Sequence, residues 1–137
     1  MADNKLLQVE IVTPQRVIFS GTAQSVTVPG SKSPFQVLFN HAPIVSSLDC
    51  GLTKLIDEAG KTIWFAVSSG FCEVNNNKVS VLVEQAENSA NINSGAVVAE
   101  AALLREKLTE AETGSEKELI LKKIAFADMC TKAIEKK

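Results

Sequence analysis

The sequence has 137 residues, 45% hydrophobic and 22% charged, with a net charge of −2. A chain of this length forms one domain, or a domain with a small appendage, and buries about two-thirds of the surface its unfolded form exposes. The near-neutral balance gives no electrostatic footprint for nucleic acid, and no apolar run approaches the roughly 20 residues of a membrane-spanning helix. Met1–Glu10 has neither the basic and apolar regions of a secretory signal nor the Arg/Ser-rich character of a transit peptide, so a cytosolic or mature organellar setting is expected.

Short apolar runs separated by turn signals fill the first part of the chain. Leu7–Val12 alternates and stops at Thr13–Pro14; Val17–Phe19 follows, with Ser20–Gly21 read as a turn. Val26 and Val28 share a face before Pro29–Gly30, and Phe35, Val37 and Phe39 alternate before the Asn40–Pro43 turn. Ile44–Leu48, Leu52–Ile56, Ile63–Val67, Phe71–Val74 and Val79–Val83 complete about nine strands, with clear turns at Asp57–Lys61 and Asn75–Asn77. This pattern predicts an antiparallel sandwich or barrel.

Near residue 90 the composition changes. All four prolines and five of the seven glycines lie before it, and 16 of the 30 charged residues lie after it. The expected division is a β-sandwich domain over 1–90 and a helical hairpin over 91–137. Val97, Ala101, Leu104, Leu108 and Ala111 form one helical stripe; Ile120, Ile124, Ala127, Thr131 and Ile134 form another. Asn93 or Ser94 caps the first helix, Gly114 is expected to end it in the left-handed region, and Ser115 with Glu118 reads as a capping box for the second. Two helices joined by about three residues run antiparallel. Beside the second stripe lie Leu119, Phe126, Cys130 and Ala133, apolar surface either docked on the sandwich or exchanged between partners.

Catalytic chemistry has no constellation to stand on. His41 is the sole histidine, Cys50, Cys72 and Cys130 match no nucleophile or zinc signature, and Asp57–Glu58 sit at a solvated hairpin tip. Neither common phosphate-cradling glycine motif occurs, and one tryptophan without tyrosine makes no stacking platform. No cofactor, metal or catalytic residue is expected. On these residues alone, a non-catalytic assembly subunit, a sandwich binding a small ligand, and a hydrolase using Cys72 or Cys50 stay open.

Asn40–His41–Ala42–Pro43–Ile44 after Val28–Pro29–Gly30, Ser69–Val74 and Asn77–Leu82 further on, and Val9–Pro14 with Val17–Gly21 upstream are linked motifs that, in this order, resemble the epsilon subunits of F-type ATP synthases, bacterial type. Asn40–His41–Ala42–Pro43–Ile44 resembles the family's N-H-A-P turn, after Val28–Pro29–Gly30 and Phe35–Leu38. Ser69–Val74 and Asn77–Leu82 are similar to its G-G-F-x-E-V and N-x-V-T-V-L stretches, and Val9–Pro14 and Val17–Gly21 to its opening strands. The resemblance spans residues 6 to about 92, and the hairpin fits by length and position. It implies a β-sandwich followed by an antiparallel helical hairpin, in a non-catalytic central-stalk subunit. Such a subunit couples rotation of a proton-driven c ring to gamma and to ATP synthesis, peripheral on the cytoplasmic side of the energy-transducing membrane. The implied gamma-facing residues are His41, Thr13 and Ser46, and the loop holding Ser31, Lys32 and Ser33 faces the c ring. The hairpin of the family extends transiently toward the catalytic alpha and beta subunits and impedes ATP hydrolysis; Arg105, Lys107, Lys122 and Lys123 are the candidate inhibitory contacts.

Two departures matter. The family loop before the N-H-A-P turn is often acidic, whereas here it reads Ser31–Lys32–Ser33–Pro34–Phe35–Gln36. Some members bind ATP through an I-D-x-x-R-A stretch; the matching residues are Ile92–Val97, with Asn93 for the carboxylate and Ala96 for the arginine. The lost guanidinium was a fork of phosphate donors, so no useful ATP affinity is expected.

Overall fold

A computed structural model describes residues 5–136. They form nine strands: β1 (Leu7–Val12), β2 (Val17–Val28), β3 (Phe35–Leu38), β4 (Ile44–Leu48), β5 (Gly51–Asp57), β6 (Thr62–Val67), β7 (Gly70–Asn75), β8 (Lys78–Val83) and β9 (Ala86–Asn88). A 3-10 turn at Ser89–Asn91 leads to helices α1 (Ser94–Glu110) and α2 (Gly114–Glu135).

The hydrogen-bonded strand order is β4-β7-β8-β1-β2-β5-β6-β9, with β3 also on β2. β2 belongs to both layers of the sandwich. Its first half pairs with β1 and its second half with β3 and β5. A register shift between Ala23 and Ser25 marks the place where it passes from one layer to the other. All pairs are antiparallel except β1 with β8. The alternation seen in the sequence places Leu7, Val9, Ile11, Val26, Val28, Val37, Leu55, Phe65, Val79 and Val81 in one buried core. Phe19 meets Phe65 edge-on at 5.7 Å, a favoured aromatic geometry.

Ser20–Gly21 is not a turn. Both residues stay in the ladder, opposite Glu10 and Val9. The Phe19 ring covers Gly21, and an added Cβ there would come within 3.2 Å of that ring, so the glycine serves packing rather than a change of direction. β9 carries no strong strand signal. It forms because the free edge of β6 needs partners, with Val67 opposite Ala86 and Phe65 opposite Asn88. At Gly70 a side chain would drive into the backbone of Leu82 and Val83, so only glycine allows β7 and β8 to meet there.

The two helices pack stripe to stripe, with Ala101 and Leu104 buried against Ile124 and Ala127. Their junction differs from the sequence expectation. Gly114 is the first residue of α2, and among the described glycines only Gly60 has a positive φ. The α2 cap is Thr113, whose hydroxyl accepts from the Glu116 N–H at 3.1 Å, while Glu116 reaches back to accept from Glu112 N–H at 3.3 Å. The box stands two residues earlier than Ser115/Glu118 because α1 ends at Ala111 with an extended backbone and needs no left-handed glycine.

α2 docks on the outer face of β5 and β6. Cys130 and Ala133 close on Ala66, with Leu52, Ile92, Val97, Phe126 and Met129 at the margin. The surplus apolar stripe therefore docks in this structure, apart from Leu119, which is 56% exposed. The central contacts are small side chains. They let the helix lie close to the sheet, while the larger Leu52, Phe126 and Met129 pack only at the margin.

Candidate functional site

The two outer faces of the sandwich differ. Under α2, Leu52, Lys54, Trp64 and Ala66 are covered by the chain's own hairpin. On the opposite layer, strand register lines up Ser47, Phe71, Leu82, Val12 and Val17 across β4, β7, β8, β1 and β2. Phe71 is 58% exposed, Leu82 48% and Val17 56%, and Val45 on the same face of β4 is 69% exposed. The row continues into an open groove of about 600 Å³ lined by Pro14, Leu48, Phe71 and Leu82. Contiguous apolar surface of this kind marks an interaction site.

Sequence reading did not single out Phe71, Leu82, Val45 or Val17. The signal was present: Val81–Leu82–Val83 and Ile44–Val45 interrupt the polar half of the alternation, which is what a strand covered on both faces requires.

The three residues expected to face gamma take different positions. His41 is half-buried in the turn before β4. Its Nδ1 bonds the Ala42 carbonyl at 2.7 Å and its ring lies 6.4 Å from that of Phe35. Thr13 lies at the other end of the face, beside Leu48 and Gly70 in the groove. It is 7% exposed, and its hydroxyl donates to Arg16 O and accepts from Arg16 N, closing the β1–β2 turn. Ser46 pairs with buried Cys72 and so points inward, and its hydroxyl donates to Ser47 O.

At one end of the sandwich the Ser31 hydroxyl donates to Asp49 Oδ1 at 3.0 Å and accepts from the Ser47 hydroxyl. Lys32 and Ser33 are exposed. Asp49, from the turn before β5, thus places a carboxylate beside the 31–36 segment.

On the hairpin, Arg105 is engaged within the chain. One guanidinium nitrogen donates to both Asp128 oxygens at 2.8 and 3.1 Å, joining α1 to α2. Lys122 is exposed, while Lys107 and Lys123 border a cleft of about 620 Å³ between hairpin and sandwich. Asn93 and Ala96 border the same cleft, and Asn93 Oδ1 caps α1 by accepting from Ala96 N–H at 3.0 Å.

Neither buried thiol is tuned for nucleophilic attack. Burial pushes Cys72 up to about 11, and burial with nearby Glu87 pushes Cys130 up to about 12, away from the thiolate form. Among the described residues no group of three or more His, Cys, Asp or Glu could hold a metal, and no helix is long and apolar enough to cross a membrane.

Comparison with known proteins accounts for this combination. Residues 6–89 match the family model described as ATP synthase, delta/epsilon chain, beta-sandwich domain. An ATP synthase epsilon chain of Magnetococcus marinus is 35% identical over 130 residues, 94% of each chain. One from Desulfatibacillum aliphaticivorans is 43% identical over 94 residues, covering 69% of this chain and 65% of that one. A chain of the Euglena gracilis mitochondrial ATP synthase superposes with a TM-score of 0.74 over 98% of this chain and 84% of its own, at 18% identity. A chain of the Tetrahymena thermophila mitochondrial ATP synthase central stalk and c-ring gives 0.56 over 93% and 96%, at 14% identity. The last two are likenesses of fold. With the sandwich matched throughout and a relative aligned over nearly the whole length, the chain belongs to the ATP synthase epsilon chain family.

Proposed function

We propose that the chain is a rotor-stalk subunit of a proton-translocating ATP synthase, holding gamma to the c ring and carrying no catalytic group of its own. The observation that carries this reading is the uncovered apolar row through Phe71, Leu82 and Val17, on the layer that the hairpin leaves free. Such a row suits a permanent partner, and gamma is the partner that the family supplies. Thr13 lines the groove at the end where the row lies, and His41 stands at the other end of the same layer, beside the Asn76–Asn77 turn, so these two mark the extent of the gamma contact; Ser46 supports it from beneath, through β4.

The Ser31–Ser33 loop, with Asp49 bonded to Ser31, is the end that meets the c ring. Membrane association is then peripheral, through the complex, on the cytoplasmic side. The hairpin is the regulatory element. Its seam of small side chains suits release, and once it extends, Lys107, Lys122 and Lys123 face the catalytic subunits, with Arg105 available after separation from Asp128.

The test is assembly. Phe71→Glu places a charge on an exposed site and leaves the core intact, so the variant is expected to fold normally yet fail to co-purify with gamma. Undiminished co-purification contradicts the reading. For the hairpin, truncation after residue 90 is expected to raise ATP hydrolysis by the assembled complex, and unchanged hydrolysis rules out inhibition.

A further inference from the structure

Three asparagines, Asn40, Asn76 and Asn77, have positive φ, at 66°, 50° and 62°. Asn76 and Asn77 form the two-residue turn between β7 and β8, and two successive left-handed residues there make the hairpin turn in which glycine is favoured at the second position. Asn77 occupies that position with a side chain, and the side chain is in use. Its Oδ1 accepts from the Asn40 backbone N–H at 2.6 Å, and its Nδ2 donates to Asn40 Oδ1 at 3.2 Å. The two residues are 37 apart in sequence. The Asn77 carbonyl also accepts from Gln8 N–H at 2.8 Å, so the clamp is anchored to β1.

The residue held this way directly precedes His41. The His41 N–H donates to Leu38 O at 3.0 Å, and its ring Nδ1 lies 2.7 Å from Ala42 O. A carbonyl oxygen only accepts, so Nδ1 carries the proton and neutral His41 is left with Nε2 as a bare acceptor. We propose that Asn77 is a positioning residue for partner recognition: through Asn40 it fixes the turn so that His41 Nε2 is presented to a hydrogen-bond donor on the gamma subunit. This rests on the reading above that His41 faces gamma.

Asn77→Gly keeps the backbone conformation and removes only the clamp, so the turn must be ordered at the moment of binding. The experiment titrates the full-length chain with purified gamma subunit, for wild type, Asn77→Gly, His41→Ala, the double variant and Asn77→Asp. Asn77→Gly is expected to weaken binding about tenfold, with faster hydrogen exchange at the Asn40 amide. Asn77→Asp, which keeps an oxygen for the Asn40 N–H, is expected to recover most of the affinity. The double variant is expected to bind within about twofold of His41→Ala alone, because both changes act through one contact. Wild-type affinity for Asn77→Gly, or full additivity in the double variant, overturns the positioning role and leaves the gamma-facing reading standing. Wild-type affinity for His41→Ala overturns both.

Discussion

The Lys136 ammonium lies 5.5 Å from the centre of the Trp64 ring, tying the end of α2 to strand β6. Lys54, the cross-strand neighbour of Trp64, lies 5.7 Å from the same ring. Two like charges thus share one aromatic ring, which limits what either contributes. The contact sits at the far end of the hairpin from its turn, where it guards the Cys130 and Ala133 seam. Lys136→Ala is expected to cost about 0.5–1 kcal/mol of docking, about two- to fivefold in the docking equilibrium and so in the minor undocked population. The alkylation rate of Cys130 reads that population, since its thiol is buried beneath the docked helix. An unchanged rate in the variant means the contact does not hold the hairpin.

The buried thiols give stability a pH dependence on the alkaline side. The unfolded chain releases these protons near the ordinary value of 9.0, whereas the folded chain holds Cys72 to about 11 and Cys130 to about 12. Between those limits the unfolded state binds fewer protons, so stability is intact below pH 9 and declines as pH rises through the window. Each thiol removes about 1.4 kcal/mol per pH unit there. Denaturation midpoints at successive pH values should fall for the wild type and fall less steeply for Cys72→Ala with Cys130→Ala, whatever the absolute stability of that variant. Parallel slopes exclude the thiols as the cause.

Most of the core was legible because burial on one face leaves a period of two, as in Leu7, Val9 and Ile11. The partner-facing row was not, because Phe71 and Leu82 are apolar residues on the outward side, and in a strand pattern they read as more core. Only register, which brings Phe71 opposite Leu82 and Leu82 opposite Val12, turns them into one surface. β9 depended on the open edge of β6, which no local propensity announces. Asp49 and Asn77 were passed over for the same reason: their partners Ser31 and Asn40 are distant in sequence.

The α2 cap shows how a correct motif falls two residues off. Thr113-x-x-Glu116 and Ser115-x-x-Glu118 both satisfy the box, and what decides between them is where α1 stops. Thr113→Ala removes the acceptor for the Glu116 N–H and is expected to cost about 1 kcal/mol of hairpin stability. Ser115→Ala falls inside the first turn of α2 and is expected to change stability by only a few tenths of a kcal/mol. Thermal midpoints of the two variants separate the assignments, and a larger loss for Ser115→Ala would reverse them.

ATP is the ligand against which the hairpin cleft is most directly tested. Asn93 and Ala96 stand where some relatives carry the carboxylate and arginine of an ATP site, and Asn93 Oδ1 is already engaged with the Ala96 N–H. Among the described residues no guanidinium borders the cleft, and Lys107 and Lys123 are its only cations, with Glu87 and Glu100 also on its walls. A lysine offers a point charge where a bidentate fork is wanted, and the two carboxylates repel phosphate. A ligand at 100 times its dissociation constant stabilises the form it binds by about 2.7 kcal/mol, which moves the midpoint of a protein this size by several degrees. Addition of ATP at about 1 mM is therefore expected to leave the thermal midpoint and the Cys130 alkylation rate unchanged. A rise in the midpoint with slower alkylation would show that ATP holds the docked hairpin without the arginine, through Lys107 and Lys123.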